Sequence, residues 1–157
     1  MNESASVERQ PAVILDVMLG KLGTYLRMCG YDAAYALNRN AEADDAILAL
    51  AETEGRTVLT RDKELVEQAS DSVLLESRDT VDQLRELVDA GFEIELDDEP
   101  SRCGACNAPL TTVAPEEPTP DYAPDPATEA VWRCRECGQH FWRGSHWEDV
   151  ADTLEGL

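Results

Sequence analysis

Asp16, Asp44 and Asp62 stand where this sequence could do chemistry. Asp62 closes Thr57-Val58-Leu59-Thr60-Arg61-Asp62, a β-branched run after Gly55 with the composition of a buried strand, and helix-like sequence follows at once. Asp16 ends the apolar run Ala12-Val13-Ile14-Leu15 in the same way, and Asp44 opens a helical stretch between the two. Ligands of open α/β sheets gather outside the carboxyl ends of the strands, so carboxylates from neighbouring strands would meet there. Like charges brought together are costly unless a cation holds them. Mg²⁺ or Mn²⁺, which take oxygen ligands and retain waters, fit such a cluster. A site of this kind activates water and stabilises the charge of a phosphodiester transition state. Asp79, at the next strand-to-helix turn, is a fourth candidate catalytic carboxylate. The alternative use of Asp62 and Asp79 is helix capping, and Asp79-Thr80-Val81-Asp82 resembles a capping pattern.

A second constellation lies further along. Cys103-x-x-Cys106 and Cys134-x-x-Cys137 are separated by 27 residues. Each pair supplies two thiolates from one tight turn, and two such turns complete a tetrahedral Cys₄ zinc site of structural type. His140 and His146 stand nearby, His140 as a substitute ligand that four cysteines make superfluous and His146 as the anchor of a helix start. Phe141, Trp142 and Trp147 have two uses, stacking on bases or packing the zinc ribbon against the preceding domain. Cys29 sits alone on an apolar stripe and reads as a small core residue.

The elements that must position these groups alternate. After the first strand, Leu19, Leu22, Leu26 and Cys29 recur at helical spacing, with Gly30 as the stop. Ala33–Leu37 reads as a weak strand. A helix capped by Asp44 ends at Gly55, the Thr57 strand follows, and a helix covers Lys63–Ala69. Val73–Leu75 is a further short strand, Asp79–Ala90 a helix with Val81, Leu84, Leu87 and Val88 inward, and Phe92–Leu96 an edge strand. Such alternation predicts a parallel sheet flanked by helices. Residues 1–11 are expected to be a disordered N-terminus, 12–96 the α/β domain, 101–145 the zinc ribbon and 146–157 a C-terminal helix. Five of the eight prolines fall within 115–126, which predicts an extended, mobile insert in the ribbon.

Composition bounds the function classes. The chain carries 13 Lys plus Arg against 33 Asp plus Glu, a net charge of −20, and only Lys21 and Lys63 are lysines. Acidic excess of that size opposes non-specific nucleic-acid binding and suggests adaptation to a high-salt cytosol, where self-repulsion is screened. No stretch approaches the ~20 apolar residues of a membrane span, and residues 1–10 have no apolar signal core, so a cytoplasmic location is expected. Gly-x-Ser-x-Gly and Walker-type phosphate loops are absent.

Asp16-Val17-Met18-Leu19-Gly20-Lys21-Leu22 and Leu26-Arg27-Met28-Cys29-Gly30-Tyr31-Asp32 resemble the opening of the Mut-seven C-terminal RNase-domain family, PIN-like nucleases joined to a zinc ribbon. Gly55–Asp62 resembles the family's central strand, and Arg102–Asn107, Cys134–Gly138 and Phe141–His146 its ribbon. The resemblance runs in order through residues 12–155. It implies a PIN-like fold and metal-dependent cleavage of RNA, with Asp16, Asp44 and Asp62 as Mg²⁺ or Mn²⁺ ligands. Lys21, Arg27 and Arg61 match basic positions that meet phosphates; pairing with nearby acids is the other use of Arg27 and Arg61. A different class of reading is a non-catalytic zinc-ribbon module, binding RNA or a protein partner on a degenerate nuclease fold.

Overall fold

The computed structural model describes residues 11–157, so the expected disorder of the N-terminus falls, but for Pro11, outside the described residues. Val13-Ile14-Leu15 forms β1 (Val13–Leu15), too short and too uniformly apolar to do anything but cross a core. It pairs in parallel with β2 (Ala33–Tyr35) on one side and β3 (Thr57–Thr60) on the other, and β3 pairs in parallel with β4 (Ser72–Leu74). The order is therefore β2-β1-β3-β4, which makes the two Asp-terminated strands neighbours at the centre. Helices α1 (Gly20–Met28), α2 (Asp44–Glu54) and α3 (Lys63–Gln68) fill the connections, and α4 (Thr80–Asp89) follows β4.

Period-two alternation sorts the strand residues between two cores. Val13, Leu15, Ala33 and Leu59 face one layer with Leu22 and Leu26 of α1 and Leu84 and Leu87 of α4. Ile14, Ala34 and Val58 face the other with Ile47 of α2 and Leu65 of α3. Cys29 lies in the first core, as its spacing predicts. Gly30 ends α1 with φ of +90°, and a Cβ there would stand 2.7 Å from a carboxylate oxygen of Asp97. Only glycine meets both conditions.

The structure corrects four expectations. Phe92–Leu96 is not an edge strand. The alternation comes from packing: Phe92 tilts on Tyr31, whose hydroxyl donates to the Glu93 carbonyl. Val88 is exposed, because Leu84 and Leu87 already fill the contact. Asp44 is the first residue of α2 and not its cap, a place taken by Ala43 with no side-chain bond. The proline-rich insert folds back on the ribbon: Glu117 pairs with Arg133, and the Tyr122 hydroxyl accepts from the His140 N–H.

That ribbon is a small antiparallel sheet of β5 (Leu110–Thr112), β6 (Trp132–Cys134) and β7 (His140–Phe141), followed by α5 (Ser145–Glu155). It docks on the free edge of β2, where an unpaired strand would otherwise recruit another chain. The Ala33 N–H donates to Oδ1 of Asn107, whose Nδ2 donates to Asp32. Arg27, buried on α1, donates through Nε to the Ala33 carbonyl and through Nη1 to the Gly104 carbonyl. Burial works against the charge of Arg27 and lowers its pKa, an effect partly offset by Cys103, Cys106 and Asp32.

Candidate metal centres

The four cysteines are drawn together as their spacing predicts. Their sulfurs all lie within 4.8 Å of one another, the only such set of three or more His, Cys, Asp or Glu ligand atoms among the described residues. Cys103 and Cys137 sulfurs are 3.7 Å apart and those of Cys106 and Cys134 3.3 Å apart. A tetrahedron with Zn–S bonds of ~2.3 Å has edges of about 3.8 Å, whereas a disulfide needs ~2.05 Å, so the donor set fits zinc and not a cystine. Backbone N–H groups of Ala105, Glu136 and Cys137 point at the sulfurs of Cys103 and Cys134, the support that thiolates need. Burial pushes the Cys103 thiol up to about 12. At Cys134 burial acts the same way, but the N–H groups of Cys137 and Glu136, together with the Cys106 and Cys137 thiols, overcome it and bring the thiol down to about 7.

The carboxyl edge of the parallel sheet is different in kind. Asp16 follows β1, is only 5 % exposed, and caps a 3₁₀ turn by accepting from the Val17 N–H at 2.7 Å. Its second oxygen accepts from the Thr60 hydroxyl at 2.7 Å. Thr60 Oγ1 in turn accepts from the Asp62 N–H at 3.0 Å, so one buried hydroxyl joins the ends of two adjacent strands. Sequence reasoning missed Thr60; a Thr two residues before the carboxylate on an otherwise apolar strand is the signal that was there to be read. Asp62 caps α3 by accepting from the Glu64 N–H through Oδ1. Asp44 sits in the first turn of α2, where a negative charge faces the helix dipole favourably. Burial, then Asp62, Asp16 and Asp45, nonetheless raise its pKa, which marks the three carboxylates as electrostatic neighbours.

None of the six ion pairs among the described residues involves Asp16, Asp44 or Asp62. An all-oxygen set with mutual repulsion and no cationic side chain paired to it suits a hard divalent ion that keeps several waters. It does not form the tight ring that the sulfurs do. Asp79 caps α4, its Oδ1 accepting from the N–H groups of Val81 and Asp82, and it is not among the groups acting on Asp44.

Basic residues divide likewise. Arg61, next to Asp62, has a buried Nε with no hydrogen-bond partner and an Nη1 only 3.9 Å from the Met18 sulfur, a weak contact. Lys21 is exposed on the first turn of α1. Arg27 is not with them: both its bonded nitrogens serve backbone carbonyls at the ribbon joint. No helix among the described residues is long and apolar enough to cross a membrane.

No curated protein and no solved structure matches the chain. A family model described as the Mut7-C RNAse domain matches residues 11–154, nearly the full length. A match of that extent makes the chain a member of the Mut7-C RNAse domain family.

Proposed function

We propose that the chain is a metal-dependent ribonuclease whose working groups are Asp16, Asp44 and Asp62. The observation that carries this reading is an edge of three neighbouring carboxylates with no cationic side chain paired to any of them, in a chain of an RNase-domain family. Asp16, Asp44 and Asp62 would hold Mg²⁺ or Mn²⁺; when bound, that ion lowers the pKa of a water and offsets charge on the transferred phosphate. Thr60 keeps Asp16 in place from below, and the Val17 N–H fixes its other oxygen. Asp62 is steadied by its own cap, with Oδ2 outside that bond. Asp44 uses neither oxygen to cap α2. Arg61 and Lys21 would meet the substrate phosphates, since neither enters an ion pair among the described residues.

Cleavage of labelled structured and single-stranded RNAs in molar KCl with Mn²⁺ tests the reading, wild type beside Asp62→Asn. Asn also caps helices, so the substitution removes charge with little effect on α3. The expected outcome is cleavage by the wild type and at least a hundredfold loss in the variant, with unchanged melting. Cleavage of equal rate in both would remove Asp62 from the reaction. No cleavage by either, with the fold intact, would leave the chain a binding module.

A further inference from the structure

Between α1, the ribbon and the start of α5 runs a cleft of about 260 Å³ that neither metal centre uses. Phe141, Trp142 and Trp147 line it with aromatic surface. Its walls contain no Asp or Glu, on a chain with 33 of them in 157 residues, yet they contain Arg102 and both histidines. Both ring nitrogens of His140 are buried and without a hydrogen-bond partner, its ring standing edge-on to Tyr122 at 6.3 Å. Arg143, the residue after Trp142, adds a further cation and lies over the Trp132 ring at 6.0 Å.

These features describe one ligand: flat and aromatic, able to hydrogen-bond at its edge, and attached to anions. A neutral peptide side chain would be indifferent to acidic walls, whereas a phosphate chain would be repelled by them. The volume lies below the ~300–1,000 Å³ of pockets that hold drug-sized molecules, and suits a single base. We propose that this cleft is a base-stacking subsite for single-stranded RNA, with the aromatic side chains as the platform and Arg102 and His146 as its polar rim. Thr24 and Met28 of α1 form its opposite wall. They lie about 6 and 12 Å along the helix from Gly20, so a strand engaged at Asp16 reaches the cleft along α1. Stacking of this kind is tolerant of base identity.

The inference rests on the ribonuclease reading for its choice of polymer, and a binding measurement separates the two. In an Asp62→Asn background, anisotropy of a labelled ten-residue oligouridylate is compared with that of an abasic ribose-phosphate oligomer of equal length at fixed KCl. Trp142→Ala and Trp147→Ala are each expected to weaken oligouridylate binding by about 5- to 150-fold, the range of one lost base–aromatic stack, and to leave abasic binding alone. Trp142→Phe, which keeps a stacking face and the packing, should retain most of the affinity. Equal affinity for oligouridylate in all variants, equal losses for both oligomers, or no binding by the parent chain would overturn the subsite and give the cleft to a protein segment. Base-dependent binding without cleavage by the wild type would break the hydrolytic reading and leave the subsite standing.

Discussion

The four sulfurs come from two turns of one small sheet, each turn contributing two ligands within four residues. The three carboxylates come from three separate elements: the exit of β1, the start of α2 and the cap of α3. The first set is closed, with the ligand atoms packed against one another and bonded by backbone N–H groups. Asp44 in the second has no cap bond, and Asp62 keeps one oxygen outside its cap. A closed, saturated site holds a fold together, while an open one leaves room for water and substrate. The tightest ligand geometry among the described residues is thus the sulfur cluster, and the carboxylate edge proposed to react is looser.

Removing the closed site's metal should have the largest effect. Structural zinc in small domains is worth on the order of 10 kcal/mol, more than a three-stranded ribbon can supply from its own core. A strong chelator, or Cys106→Ser, is expected to expose the ribbon to protease while far-UV dichroism of the four-stranded sheet persists. A ribbon equally resistant with and without chelator would erase the contrast between the sites.

The joint between the two regions comes next. Arg27→Met would keep the buried stem and strip the Ala33 and Gly104 carbonyls of their donor. A buried acceptor and a part-buried one, both left unsatisfied, cost about 2–4 kcal/mol together, read as a shift of the denaturant midpoint. A shift under about 0.5 kcal/mol, with RNA cleavage lost instead, would return Arg27 to the substrate.

The smallest effect concerns the open edge without metal. Burial and the charges of Asp62, Asp16 and Asp45 raise the Asp44 pKa, so the native state holds this proton more tightly than the unfolded chain does. Between the ordinary and the raised value the native state binds more protons, and stability falls as pH rises through that window. Melting of the metal-free wild type, relative to Asp44→Asn, should therefore decline with rising pH across the carboxylate range and stay level above it. Mn²⁺ should reduce that decline by holding Asp44 ionised. A pH-independent difference would remove Asp44 from the cluster.

Much of this organisation is local and was legible. Apolar runs ending in Asp, helical spacing after them, and the two Cys-x-x-Cys turns are properties of near neighbours in the chain. They predict the parallel sheet, its two Asp-terminated strands and the sulfur cluster. The edge strand at Phe92–Leu96 failed because alternating apolar residues pack on Tyr31 as readily as they pair, and no period distinguishes the two. The insert at 115–126 misled because proline content limits helices and strands without preventing contacts such as Glu117 with Arg133.

What the residues determined by themselves is the kind of chemistry available: hard oxygen donors at strand ends, soft sulfur donors in tight turns, and a surface charge of −20. Which basic side chain stays free was decided only in three dimensions. Arg27 and Arg61 look alike in the chain, each near an acid and a strand or helix end. Arg27 finds its second carbonyl at Gly104, 77 residues away, and is consumed by the fold, whereas Arg61 keeps an unpartnered N–H beside Asp62. The physical reason is that hydrogen-bond partners are assigned by proximity after folding, and proximity across such separations has no signature in local spacing.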